Sequence, residues 1–303
     1  KKTVKFIKPK REMQYTPQQM MGHGTFKSTT RIGNWSEDLA LQEEKQKMMK
    51  KSKESQDSSS SSSSNFIQQM HAKFKTHTQP ETIEKQGSHV SFDKQLMLFN
   101  EDTKGFLSGD LDMVLDQFQE KYGVTTVAAP KPIARNVFVL EKIPGKYDAA
   151  FEDEGEADKL HYGQHFRIRV CDSLSQEPMY LVSEPCTPQS CAPVSNDQQR
   201  VSLTPHVTYA AAWKVLYRDE SWRLEWENEM VQSNHPCVIQ HCATGQPLNS
   251  NNDKRVPNDF GSEFEVSCKK RCDTHKVELD TNVWYFVVGQ GGRPKKKKHT
   301  YTH

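Results

Sequence analysis

Ile239-Gln240-His241-Cys242-Ala243-Thr244-Gly245-Gln246-Pro247-Leu248 occurs in this chain in three versions. In Leu98-Phe99-Asn100-Glu101-Asp102-Thr103-Lys104-Gly105-Phe106-Leu107 the aliphatic ends, an Asn in place of His, the Thr and the closing Leu fall at the same offsets. The remaining version runs from Ile168 to Leu181, with four additional residues in its turn. The starts lie 70 and 71 residues apart. Self-similarity at a near-constant period decides an architecture before any local element is read.

Each version has the chemistry of a hairpin. An alternating run such as Phe166-Arg167-Ile168-Arg169-Val170 places every second side chain on one face. A polar turn follows, with Thr and Gly where a tight reversal needs short side chains and permissive dihedrals. The next strand opens on an aliphatic anchor, Leu107, Leu181 or Leu248. A bulky closing strand comes 30 to 36 residues after each anchor: Val137-Phe138-Val139-Leu140, Trp213-Lys214-Val215-Leu216 and Trp284-Tyr285-Phe286-Val287-Val288. Three such units predict an all-β, pseudo-threefold β-trefoil. The competing arrangement is a β-sandwich that contains three coincidental hairpins.

Outward from the repeats, the chain divides into four expected parts. Residues 1–50 form an extended basic arm with a short helix, and 51–87 a Ser-rich linker with a second short helix. Residues 88–290 form the trefoil and 291–303 a basic tail. The first helix is expected to enter at Ser36 and Asp38 and to run to about Lys50, with a thin apolar stripe of Leu39, Leu41, Met48 and Met49. Ser58 to Ser64 cannot bury apolar area to offset backbone entropy, so the run is expected to be disordered. Phe66, Ile67, Met70 and Phe74 allow the second helix. Inside the trefoil, Leu111, Val114, Leu115 and Phe118 follow helical spacing, with Asp110 as the expected N-cap. Glu152 to Asp158 reads as an acidic loop, and Pro185 to Gln199 as a polar loop carrying Cys186 and Cys191.

Formal charge is +2 over 303 residues, but it is unevenly placed. Residues 1–30 carry seven Lys/Arg against one acid, residues 281–303 five against none, and residues 31–280 sum to −9. Basic ends on an acidic body point to an acidic partner surface such as tubulin, nucleic acid or anionic lipid. Seven scattered cysteines argue against a disulfide framework and for a reducing compartment. No apolar run approaches the ~18 residues needed to span a bilayer, and no signal-peptide pattern is visible. A chain beginning at Lys1 rather than Met is expected to lack a few N-terminal residues.

The reactive side chains form no recognised catalytic or metal pattern. Cys268, Cys272 and His275 lack the paired spacing of a zinc site, and His241-Cys242 lies on a strand whose neighbouring side chains face opposite ways. Cys237, His235 and Asp253 have no nucleophile elbow or phosphate loop around them. No metal, cofactor or enzymatic activity is therefore expected. His241 and Asn100 hold equivalent repeat positions, which predicts a repeated structural role. Lys295 to Lys298 offer an electrostatic handle without base-reading side chains, so a solvated tail or a tubulin contact is expected rather than nucleic acid; no membrane partner is expected either.

Arg31-Ile32-Gly33-Asn34-Trp35-Ser36-Glu37-Asp38 resembles the cilia- and flagella-associated protein 161 family. The resemblance continues colinearly through Leu107 to Leu111, Pro132 to Phe138, His161 to Phe166, Leu224 to Glu227, Ile239 to Cys242 and Asp273 to Glu278. It covers roughly residues 31–289, and the hairpin repeat is also similar to the MIR-type β-trefoil. The basic arm 1–30, the serine run and the lysine tail depart from the family pattern.

The resemblance implies a structural microtubule inner protein in the lumen of ciliary doublets, most naturally the A-tubule. α- and β-tubulin and other inner proteins would be its partners. Arg31, Ile32, Gly33, Asn34 and Trp35 are the expected partner-binding residues. Gly33 permits close backbone approach, Trp35 offers a large contact area, and Arg31 can pair with a carboxylate. The alternative for Trp35 is a clasp on its own trefoil. The alternative for the whole chain is a ligand- or glycan-binding trefoil, for which Trp222 and Trp226 are the candidate stacking residues.

Overall fold

A computed structural model of the chain describes residues 45–46, 61–85, 87–116, 120–129, 131–143, 158–187, 190–275 and 277–289. Among the described residues, the helix α1 (Ser61–His77) leads into twelve strands. These are β1 (Gln95–Asn100), β2 (Phe106–Asp116), β3 (Lys121–Val127), β4 (Phe138–Lys142), β5 (His165–Val170) and β6 (Tyr180–Ser183). They continue as β7 (Gln199–Thr204), β8 (Trp213–Tyr217), β9 (Pro236–His241), β10 (Leu248–Asn258), β11 (Gly261–Cys268) and β12 (Val283–Val287). Among the described residues no helix is long and apolar enough to cross a membrane.

The repeats appear in the strand register residue by residue. β1, β4, β5, β8, β9 and β12 pair antiparallel around a closed circuit, which makes a six-stranded barrel. Closure leaves no unpaired edge in the barrel. Phe138 lies opposite Val170, Trp213 opposite His241 and Trp284 opposite Asn100. The same three bulky residues face Leu96, Phe166 and Cys237 on their other sides. Each hairpin closes at the same step after its start, with Phe99 opposite Phe106, Arg169 opposite Tyr180 and Gln240 opposite Pro247. The hairpins β2–β3, β6–β7 and β10–β11 then meet through β3–β7, β7–β11 and β11–β3 contacts, forming a triangular cap over the barrel. A closed barrel under three mutually paired hairpins is a β-trefoil, as the repeat predicts.

Core packing follows the same threefold logic. Leu98, Ile168 and Ile239 are fully buried, and so are the anchors Leu107, Leu181 and Leu248. Phe138, Trp213 and Trp284 fill the centre. The Trp213 indole N–H donates to the Leu181 carbonyl at 2.8 Å, and the Trp284 indole N–H to the Leu248 carbonyl at 3.0 Å. Both polar handles are thereby satisfied inside the apolar interior. Gly245 reverses its turn at φ 67°, and Lys104 takes the same repeat position at φ 50°. The turn demands the left-handed conformation at that offset whether or not a glycine is present.

Three local expectations are corrected. Residues 110–116 form the far end of β2 rather than a helix, and residues 117–119 lie outside those described. Pairing with β3 outweighs the 3.6-residue spacing, and the ladder shifts between Asp110 and Val114 to make a bulge. The expected cap is present in another setting: Asp110 Oδ1 accepts the N–H groups of Asp112 and Met113, each at 3.1 Å, and so shapes that bulge. The serine run is not wholly irregular, because α1 begins at Ser61 within it. Cys186 and Cys191 are joined by a disulfide that pins the loop between β6 and β7, whereas five cysteines are free.

The helix expected over residues 36–50 lies outside the described residues except at Lys45 and Gln46, which are helical. The acidic loop 152–158 is described only at Asp158. Ile83, upstream of the repeats, is buried in the trefoil core. Gly289, at φ 88°, sits against the backbone of Lys85, so the chain enters and leaves the trefoil side by side.

Candidate partner-binding surface

The expected partner-binding residues Arg31, Ile32, Gly33, Asn34 and Trp35 lie outside the described residues, as do Lys295 to Lys298. The described surface nevertheless contains a face built from two segments of the family resemblance. Leu224 to Glu227 follows a short 3-10 turn at Glu220–Trp222 after β8, and Asp273 to Glu278 precedes β12. Arg223 joins them through a 2.7 Å ion pair to the buried Glu278 carboxylate. Arg223 Nε also donates to the Tyr217 carbonyl at 2.9 Å, which fixes the turn to the end of β8.

Apolar side chains flank this buried pair on the outside. Leu224 is 82% exposed, Val277 60%, Trp222 46% and Leu279 40%. All four lie within one or two residues of Arg223 or Glu278 in the chain, and exposed apolar residues of this size are candidates for partner contact. The two segments differ in charge: the second, with the residues that lead into it, brings Lys269, Lys270, Arg271 and Lys276, with Lys270 at 3.4 Å from Glu220, while the first is acidic. Residues 218–229 carry five acids against two arginines, and both arginines are committed, Arg218 to Asp280 and Arg223 to Glu278. Glu225, Glu227 and Glu229 are exposed. An open cleft of about 390 Å³ is lined by Asp102, Asp273 and residues 277–281. Asp273 Oδ1 shapes the rim by accepting the N–H groups of His275 and Val277.

The other sequence candidates are held within the fold. Trp226 stacks on Tyr217, with ring centroids 4.7 Å apart, and packs edge-on to Tyr162. It therefore forms no open platform with the exposed Trp222. Cys237 is fully buried in β9, its Sγ 3.4 Å from the Trp284 carbonyl, and burial pushes its thiol well above the ordinary range. Cys268 is buried in β11, and burial pushes its thiol up to about 12. Neither thiol is poised as a thiolate.

His241 is an internal tie. Nε2–H donates to the Ala210 carbonyl at 2.9 Å, Nδ1 lies 2.9 Å from Thr244 Oγ1, and the Thr244 hydroxyl donates in turn to Gln199 Oε1 at 2.9 Å. Burial lowers its pKa, consistent with a neutral ring. Asn100 makes the equivalent tie, donating from Nδ2 to the Thr281 carbonyl at 3.0 Å and accepting from Thr103 at Oδ1. The repeated structural role expected of the two residues is what the geometry shows.

A second cluster has no sequence signal, because its members come from distant segments. Lys73 of α1 pairs with Asp112 at 2.7 Å, and His77 Nδ1–H donates to the Lys73 carbonyl at 2.9 Å. His77, Asp110 and Asp112 present ligand-type atoms within 4.8 Å of one another. They could gather about a cation, yet the Lys73 ammonium already supplies positive charge and the Leu111 N–H donates to His77 Nε2 at 3.4 Å. Phe74 and His77 pack on Phe260, while the Arg135 guanidinium lies 3.9 Å from the centre of the same ring. The cluster clamps α1 to the trefoil.

The class of protein that the topology defines is a closed β-trefoil, here with exposed apolar residues and carboxylates beside the Arg223–Glu278 pair. The sequence profile of the cilia- and flagella-associated protein 161-like domain matches residues 110–289, more than half of the chain. The chain belongs to the cilia- and flagella-associated protein 161 family. It is 28% identical over 280 residues to that protein of Danio rerio, covering 86% of this chain and 87% of the relative. The Mus musculus protein is 26% identical over 304 residues, covering 92% of each. Among solved structures, the SDF2-like protein from Arabidopsis thaliana superposes with a TM-score of 0.50 at 16% identity, covering 69% of this chain and 99% of that one. That likeness concerns the fold, and it agrees with the MIR-type trefoil expectation.

Proposed function

We propose that this chain is a structural microtubule inner protein, bound to the luminal wall of ciliary and flagellar doublets and stabilising the axoneme. Family membership is the observation that carries the reading. The distribution of charge supports it: basic ends suit acidic tubulin, whereas the acidic segment 218–229 of the trefoil suits a basic neighbour among the inner proteins. Trefoil and arm together would spread many weak contacts over a repetitive wall, where effective concentration adds them. A glycan-binding trefoil is less well supported, because Trp226 is spent on packing against Tyr217.

Extraction of axonemes tests the placement. The protein is expected to stay with doublets through detergent and moderate salt, and release with the soluble fraction would sink the reading. The arm is tested separately by replacing Arg31 and Trp35 with Ala. The double variant is expected to keep the melting curve of the parent and to be lost from doublets at least about tenfold, the scale of removing one interface hot spot. Unfolding of the purified variant would instead assign Trp35 to a clasp on the trefoil.

A further inference from the structure

Cys186 and Cys191 are bridged just after β6, and their surroundings differ from those of the other five cysteines. Cys186 is exposed and Cys191 half-buried, while Cys171, Cys237 and Cys268 are buried and burial pushes their thiols up. Five free cysteines out of seven is the usage of a chain kept under reducing conditions, where the disulfides that do form are transient or redox-sensing. A bridge between residues five apart in sequence also removes little freedom from the unfolded chain, so it stabilises less than one across a long loop.

Beyond Cys191 the chain is tied down without sulfur. Ala192 N–H donates to the Gln198 carbonyl at 3.0 Å, and the N–H groups of Val194 and Ser195 donate to the buried Glu265 carboxylate. Each sulfur also has a carbonyl oxygen beside it, that of Thr187 at 2.8 Å from Cys191 Sγ and that of Asn196 at 3.5 Å from Cys186 Sγ. A disulfide has no hydrogen to offer these oxygens, whereas each of them can accept an S–H once the pair is reduced. Acceptors for both thiols of the reduced form are therefore already in place.

We propose that Cys186 and Cys191 are a reversible dithiol–disulfide pair that exchanges with glutathione-type thiols. A thiolate RS⁻ attacks the exposed Cys186 sulfur and forms a mixed disulfide there. The old S–S bond breaks with its electron pair leaving on Cys191. A second RS⁻ attacks the outer sulfur of the mixed disulfide, RSSR departs, and the electron pair leaves on Cys186. The two protons lost by the two RSH molecules end on the two cysteines, so RSH is oxidised to RSSR and the protein disulfide is reduced by the same two electrons. In reverse, RSSR is the oxidant, Cys186 carries the mixed disulfide and Cys191 resolves it. The inference does not depend on placement in a doublet, since the chemistry belongs to the isolated chain.

Differential alkylation and peptide mapping of the full chain, equilibrated in graded mixtures of reduced and oxidised glutathione, test it. The pair is expected to pass completely from disulfide to dithiol across the series and to return when the mixture is reversed. A disulfide that survives the most reducing mixture, or one that never forms in the most oxidising, would overturn the proposal. So would a bridge from either residue to any other cysteine, within or between chains. Single variants test the order of attack. A Cys191→Ser chain should trap glutathione on Cys186 at least about fivefold faster than a Cys186→Ser chain traps it on Cys191, because exchange follows access to the sulfur. Equal or inverted rates would overturn the assignment. The chain with both Cys186→Ser and Cys191→Ser should melt like the reduced parent, and failure to fold would make the bridge part of the scaffold and overturn the proposal as well.

Discussion

Trp284→Ala is expected to destabilise the chain by about 3–5 kcal/mol, the usual cost of removing a large aromatic side chain from a packed core. Trp284 is fully buried and is the second residue of the third closing strand, Val283–Val287. It lies opposite Asn100 and Cys237, so it joins the first and last repeats across the barrel closure. The substitution creates a cavity and removes the indole donor from the Leu248 carbonyl, which still accepts from Asn282 Nδ2 at 3.2 Å. Urea denaturation of the full chain provides the measurement, with the shift in midpoint scaled by the slope. Trp284→Phe is the informative companion, because Phe138 holds the equivalent position in the first repeat. It should cost roughly 1–2 kcal/mol, since most apolar volume is kept and one hydrogen bond is lost. An unchanged midpoint for the alanine variant would remove Trp284 from the core.

The second large effect lies beneath α1. Arg135 and Glu263 form a bidentate pair at 2.8 and 2.7 Å, and both side chains are almost wholly buried. The Glu263 carboxylate also accepts from Thr125 Oγ1 at 2.6 Å and from Asn258 Nδ2 at 2.7 Å. Arg135→Ala strands a buried carboxylate and uncovers the face of Phe260. It should cost about 3–5 kcal/mol, the penalty for breaking a buried pair from one side. Arg135→Met with Glu263→Gln should recover much of that loss. No charge is then left unpaired, and the amide oxygen still serves the Thr125 hydroxyl. Urea titrations of the parent, of Arg135→Ala and of the double variant make the comparison. If the double variant were as unstable as Arg135→Ala, the stranded charge would not be the cause.

The trefoil was legible because its information lies in offsets. Leu98, Ile168 and Ile239, with Leu107, Leu181 and Leu248, mark the same depth in three hairpins, and no tertiary contact is needed to see their spacing. Asp110 to Phe118 misled because a 3.6-residue spacing carries no information about strand pairing, and in the bulged strand Val114 is 47% exposed rather than turned into a core. Pairing with Lys121–Val127 makes the segment a strand, and that partner is invisible to a local pattern. The disulfide was missed for a related reason. An odd cysteine total says little about one short loop closed by Cys186 and Cys191.

The site was legible only in pieces. Leu224 to Glu227 and Asp273 to Glu278 stood out separately in the resemblance, but about 50 residues separate them and only the Arg223–Glu278 pair makes them one face. The clamp of Lys73 and His77 on Asp112 joins a helix to a bulge that sequence periodicity assigned to another helix.

The side-by-side entry and exit of the chain has a mechanical consequence. Met97 lies opposite Val287, so the first residues of β1 and the last of β12 share one end of the barrel. Opposed pulls on the N-terminal arm and the C-terminal tail would open that seam like a zipper, one ladder bond after another. They would not load all the bonds together in shear. Fastened by arm and tail to the same stretch of wall, the trefoil hangs as a pendant and the seam carries no tension as that wall bends. Fastened to two walls that slide past each other, it would load the α1 clamp first and then the seam between its own beginning and end.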